Sequence, residues 1–267
     1  MELTLDEVLK YNSLILDKIA KETGIRYNNI ENINWYYISK YSKLSERFIE
    51  EFKYKLNWIE ISCCQSLSED FIEKNIDLVK WNSISQHQVL SENFIRKYKD
   101  KLDWEIISTY QKLSEDFMRE FSHKVKWMFI SSRQEISESF IEEFSDYIDW
   151  FNLCNSRYLT EELMRKFINK IPYFTVCKYQ VLTESFIEDF SNRLDWKNIC
   201  SFQRLSDDFI RKHKYEVDWK LISKNQNLSE NIISEFSSMI DWDLFSSNKK
   251  LNKNFIKKCK MLYKPNN

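Results

Sequence analysis

Residues 90–112 read LSENFIRKYKDKLDWEIISTYQK, and residues 182–204 read LTESFIEDFSNRLDWKNICSFQR. Both open on Leu-Ser/Thr-Glu-x-Phe-Ile, pass through Leu-Asp-Trp and close on a glutamine. The tryptophan recurs every 23 residues, at Trp35, Trp58, Trp81, Trp104, Trp127, Trp150, Trp196, Trp219 and Trp242, and Tyr173 holds the one slot missed. A fixed period without slippage is the signature of stacked, near-identical supersecondary units. Nine full copies occupy residues 44–250.

Each half of the unit carries a helical pattern. In the first half Phe94, Ile95, Tyr98 and Leu102 fall at i, i+1, i+4 and i+8, one stripe of a helix and not the alternation of a strand. Ser91 precedes it as an N-cap with Glu92 in the first turn, and Ser45, Ser68, Ser114, Ser137, Thr160, Thr183, Ser206 and Ser229 repeat the cap. In the second half Asp103 caps a helix whose inward positions are Trp104, Ile107, Ser108 and Gln111. These are helices A and B. Seven large apolar side chains per unit, worth roughly 2 kcal/mol each when buried, do not offset about 1–2 kcal/mol of backbone entropy per residue, so one repeat cannot fold alone. The expected fold is an all-α solenoid of tandem 23-residue helix-turn-helix repeats.

Composition agrees. Among 267 residues there are one glycine and two prolines, too few for the turns of a β fold. Forty basic residues stand against 41 acidic ones, so the whole-chain balance lacks the footprint of a general nucleic-acid binder. No apolar stretch approaches the roughly 20 residues of a membrane span, and the first residues lack the pattern of a signal peptide. The expectation is an intracellular, cytoplasmic monomer with reduced thiols and no membrane association.

The ends depart from the consensus. Residues 1–34 form an N-terminal cap, with a longer amphipathic helix over 5–21 closed by Gly24 in the left-handed conformation. Residues 35–250 are the repeats, and 251–267 a C-terminal capping helix and tail. Lys249, Lys250, Lys253, Lys257, Lys258, Lys260 and Lys264 make that end basic, either as a solvated capping face or as a site for nucleic acid or phosphate.

Catalysis requires unlike groups converging on one place, whereas a single-consensus repeat spreads like groups along a line. No enzymatic activity, metal or cofactor is expected. His87, His123 and His213 occupy unlike repeat positions, and His213 replaces the phenylalanine of other copies. Cys154, Cys177 and Cys200 fill the slot of Ser62, Ser85, Ser108, Ser131 and Ser223. Stacked helices about 8–10 Å apart hold such a row too wide for a disulfide or a shared zinc, which makes these small core residues. The repeated glutamine (Gln65, Gln88, Gln111, Gln134, Gln180, Gln203, Gln226) invites a base-reading code. Its near-constancy favours a structural role on backbone groups freed at the end of helix B.

Specificity in a solenoid resides in the positions that vary. The two residues after each tryptophan do so, and mid-chain they turn apolar at Ile106, Met128, Phe129, Phe151 and Phe174. Exposed, these form an interaction ridge; packed on adjacent helices, they are framework. The sequence leaves both open. Beside them Pro172 and Tyr173 replace the Asp-Trp pair, which removes a capping carboxylate.

The consensus at residues 90–111 and 182–203 resembles short tandem-repeat proteins encoded in large DNA viruses, over residues 35–260. The richness in lysine, asparagine and isoleucine is compatible with an AT-rich genome. That resemblance brings no assigned activity and no functional residues. The strand motif of leucine-rich repeats is absent. The function expected is that of a non-enzymatic scaffold binding a protein partner, in a viral setting a host or virion protein, with nucleic-acid or phosphate binding at the lysine-rich end as the alternative.

Overall fold

A computed structural model describes residues 5–247, and all regular structure there is helical. The chain is an all-α solenoid of tandem helix pairs. It divides into two compact units, residues 1–136 and 137–267. In the first, the B helices Trp35–Tyr41, Trp58–Cys64, Trp81–His87, Trp104–Tyr110 and Trp127–Arg133 pack side by side in sequence order. In the second, Trp150–Ser156, Tyr173–Tyr179, Trp196–Phe202, Trp219–Asn225 and Trp242–Ser247 do the same. The lysine-rich run Lys249 to Lys264 and the C-terminal cap expected over 251–267 lie outside the described residues.

The caps form as the sequence dictates. Ser91 Oγ accepts from Phe94 N at 3.1 Å, and Asp103 Oδ1 accepts from Glu105 N at 2.9 Å. Lys80, Lys126 and Pro172 offer no acceptor, and their helices start without a side-chain cap. At the N-terminus the helix Leu5–Thr23 ends on Gly24, whose φ of 72° suits only a residue without a Cβ, and Gly24 N bonds Ala20 O at 2.9 Å.

Helix A is shorter than its apolar stripe. It spans six residues, Glu92–Lys97 in the quoted copy, and Leu102 lies beyond it. Tyr98 O accepts from both Lys101 N (2.9 Å) and Leu102 N (3.2 Å), a tight turn that swings the leucine back to the core. No non-glycine residue among those described takes positive φ, so the turn needs no glycine.

The core is the repeated Leu, Phe, Ile and second Ile: Phe94, Ile95, Leu102 and Ile107 are all buried. The tryptophans are less so. Only Trp58 and Trp150 are buried, and Trp104 is half-exposed despite its inward register. Its indole lies 6.2 Å from Phe117 and 5.0 Å from Phe121 of the next repeat, and Nε1 donates to Lys99 O at 2.8 Å. The Lys124 ammonium stands 5.9 Å from the ring centre.

Candidate interaction surface

The polar groups of the consensus are consumed between repeats. Gln111 Nε2 donates to Ser85 O (2.8 Å) and Gln88 O (2.7 Å), while Oε1 accepts from Leu90 N (3.0 Å). Gln65, Gln88, Gln134, Gln180, Gln203 and Gln226 make the same three-bond clasp one repeat back. Each amide thus satisfies two carbonyls at the end of the preceding helix B and one N–H of the following turn. These side chains are buried, with both N–H groups used, so no edge remains for a nucleobase.

Serine and glutamate extend the clasp. Ser108 Oγ donates to Trp104 O at 2.6 Å and accepts from Lys126 N of the next repeat at 3.0 Å. Glu92 Oε1 accepts from Ser114 N at 2.7 Å, tying each first turn to the following N-cap. Outside the consensus, ion pairs one repeat apart line the A helices: Arg96–Glu120 (2.8 Å), Lys97–Glu73 (2.7 Å), Lys166–Glu142 (2.7 Å) and Arg211–Glu235 (2.7 Å).

Cys154, Cys177 and Cys200 are buried, and desolvation pushes their thiols up to about 12, 11 and 11. A thiol held protonated is a poor nucleophile and metal ligand. Cys63 and Cys64 are adjacent free thiols, and desolvation with the neighbouring Cys63 raises Cys64 to about 11. His213 stacks in the phenylalanine slot, 5.0 Å from Trp196 and 4.5 Å from Phe209. No group of three His, Cys, Asp or Glu able to hold a metal occurs among the described residues.

A cavity of about 410 Å³ lies in the first unit between the N-terminal helix and the first repeat, lined by Leu14, Ile15, Ile33, Trp35 and Phe52. At its edge Lys18 is paired with Glu51. With Lys55 these are the charged groups of the lining, and they assemble no nucleophile with a base.

What is left for recognition is the outward face of the B helices. The residue after each tryptophan, Tyr36, Ile59, Asn82, Glu105, Met128, Phe151, Phe174, Lys197, Lys220 and Asp243, is exposed in every repeat, with Tyr173 standing for tryptophan before Phe174. The next residue is mostly half-buried. Of the apolar set picked out in the sequence, Met128 (48 %), Phe151 (56 %) and Phe174 (55 %) are exposed, whereas Ile106 and Phe129 are half-buried against their neighbours. Met128 belongs to the first unit and Phe151 and Phe174 to the second, so the structure describes two surfaces.

Further exposed rings close the same B helices: Tyr41 and Tyr110 in the first unit, Tyr179 and Phe202 in the second. Their shared place six residues after the tryptophan register was the available signal. No protein-family model, curated protein or solved structure matches the chain. No helix among the described residues is long and apolar enough to cross a membrane.

Proposed function

We propose that the protein is a non-enzymatic recognition scaffold whose B-helix face engages a protein partner. One observation carries this: the buried framework is nearly constant and spends its hydrogen bonds internally, while the outward position after each tryptophan is always exposed and changes identity from repeat to repeat. A surface already fixed by repeat-to-repeat clasps binds with little ordering cost.

In the first unit that surface is apolar and aromatic toward both ends and polar between: Tyr36, Tyr37, Ile59 and Met128 are exposed, Asn82 and Glu105 separate Ile59 from Met128, and Ile106 and Phe129 contribute from half-buried positions. Aromatics and methionine are the residues enriched in protein interfaces. The viral resemblance would make the partner a host or virion protein.

The test is affinity capture with quantitative mass spectrometry, comparing the parent chain with an Ile59→Asp/Met128→Asp variant that melts at the parent temperature. A protein retained saturably by the parent and lost from the variant supports the reading. Retention unchanged by the two substitutions, or no saturable protein at all, removes it.

A further inference from the structure

The near-neutral charge of the whole chain conceals a segregation in the second unit. Residues 150–159, 173–182, 196–205 and 219–228, which hold the B helices and the turns after them, contain no aspartate or glutamate. They contain Arg157, Lys178, Lys197, Arg204, Lys220 and Lys224. Most of the unit's acids lie in the intervening segments, on the A helices, the turns after them and the N-caps of B; the fifth B helix, Trp242–Ser247, carries Asp243 and lies beyond the acid-free stretch. In the intervening segments most cations are paired: Arg165 with Asp189, Lys170 with Asp146 and Lys212 with Glu188, at 2.7, 2.5 and 2.7 Å, while Arg193 bonds Asn169 and the Tyr173 hydroxyl. Lys197, Arg204 and Lys220 are exposed and in no ion pair among the described residues. In the first unit the corresponding segments 58–67, 104–113 and 127–136 each carry an acid, Glu60, Glu105 and Glu135, while 35–44, with Lys40 and Lys43, and 81–90 carry none.

Rings interleave with these cations. Phe151, Phe174, Tyr179 and Phe202 are each more than two-fifths exposed, on B helices that pack in sequence order. The Lys178 ammonium stands 5.9 Å from the centre of Phe174, 4.8 Å from Tyr179 and 5.7 Å from Phe202. The cation thus joins rings from two successive B helices. The N-cap carboxylates Asp149, Asp195 and Asp218 accept from backbone N–H groups of the first turn of their helices.

We infer that the B-helix face of residues 150–228 binds single-stranded nucleic acid, with Lys197, Arg204 and Lys220 on phosphates and Phe174, Tyr179 and Phe202 as stacking platforms for bases. A file of unpaired cations that excludes acids, with exposed ring faces set between them, combines the electrostatic track and the stacking surface such binding needs. An acidic peptide matches the charge alone. It leaves the exposed rings of Phe174, Tyr179 and Phe202 without a role, whereas bases stack on them. Stacking tolerates any base, so little sequence preference is expected. This surface is separate from the first unit's apolar one and stands or falls independently of it.

The experiment is fluorescence anisotropy of a fluorescein-labelled 20-residue oligo(dT) titrated with the full chain at 50 and 200 mM KCl. Binding should weaken with salt, with a log–log slope of about −0.7 for each phosphate contacted. Lys197→Glu/Lys220→Glu should weaken binding at least tenfold and flatten that slope by about 1.4. Phe174→Ser/Phe202→Ser should cost about tenfold or more with the slope unchanged. Should that variant melt low, Phe174→Leu/Phe202→Leu keeps the apolar bulk and removes only stacking.

Three results would overturn the inference. The first is no binding at 50 mM KCl. The second is affinity that survives both double substitutions and falls instead with Lys257→Glu/Lys258→Glu. The third is poly-glutamate competing as well as unlabelled oligo(dT), with the ring substitutions silent, which assigns the face to an acidic peptide.

Discussion

At the scale of single residues, the glutamine clasp is the sharpest determinant of the fold. Gln111→Leu keeps the bulk but strands Leu90 N–H and the carbonyls of Ser85 and Gln88 in the core. A buried group left unsatisfied costs about 1–3 kcal/mol, so the variant should lose about 3 kcal/mol in urea unfolding. A loss below about 1 kcal/mol would show that water replaces the amide. The buried cysteines make a pH statement. Burial holds the thiols of Cys154, Cys177 and Cys200 at about 12, 11 and 11, above their ordinary 9.0. The unfolded chain therefore ionises first, and their contribution is intact below about pH 9 and lost as pH rises toward 11–12. The slope approaches about 1.4 kcal/mol per pH unit for each thiol. Serine, native to this slot elsewhere, does not titrate there. The parent should lose melting temperature faster than Cys154→Ser/Cys177→Ser/Cys200→Ser between pH 8 and 10.5, and parallel curves would contradict the assigned burial.

At the scale of the helix, the uncapped starts are weak points: the sequence marks the one at Pro172, and the structure adds those at Lys80 and Lys126. Asp103 bonds Glu105 N and Ile106 N, while Lys126 at the equivalent position has no side-chain cap bond. Asp103→Ala should cost about 1 kcal/mol, and Lys126→Asp should gain a similar amount and raise the melting temperature by about 2–4 °C. Calorimetry of the two single variants decides it, and a Lys126→Asp chain that melts lower would mean the lysine stem does unseen packing. The caps, both helices and the core phenylalanines were legible because each repeats at one register. The early end of helix A at Lys97 was not, since a tight turn through Tyr98 O returns Leu102 to the stripe a continuous helix would also draw. Nor was the half-exposure of Trp104, because its spacing fixes the side of the helix but not how deep the indole sits; Trp58 makes the equivalent bond, to Lys53 O, and is buried.

At the scale of the molecule, every inter-repeat bond has a sequence separation set by the 23-residue period. The glutamine clasp spans 21, 23 and 26 residues, the serine bond 18, and the glutamate clamp 22. This uniformity made the architecture readable, and it hid the surfaces. A consensus averages away the outward positions, and a whole-chain charge averages the acid-free B face of residues 150–228 with acidic A helices. The ion pairs such as Arg96–Glu120 were equally invisible, because they use positions that vary. The same uniformity makes a prediction about deletions. Removing residues 90–112 joins Val89 to Leu113 and brings Gln134 one period from Gln88 and Ser85, so the clasp can re-form around the gap. Stability in a repeat stack is close to a sum of units and nearest-neighbour interfaces. The shortened chain should therefore unfold cooperatively, with a urea m-value lower by about a tenth in proportion to the surface removed. Removing residues 90–113 instead shifts every clasp beyond the junction by one position and discards a core leucine. That chain should melt far lower, or fail to fold. If circular dichroism finds the 23- and 24-residue deletions equally stable, the clasps do not set the register, and the hydrophobic stripe alone holds the stack.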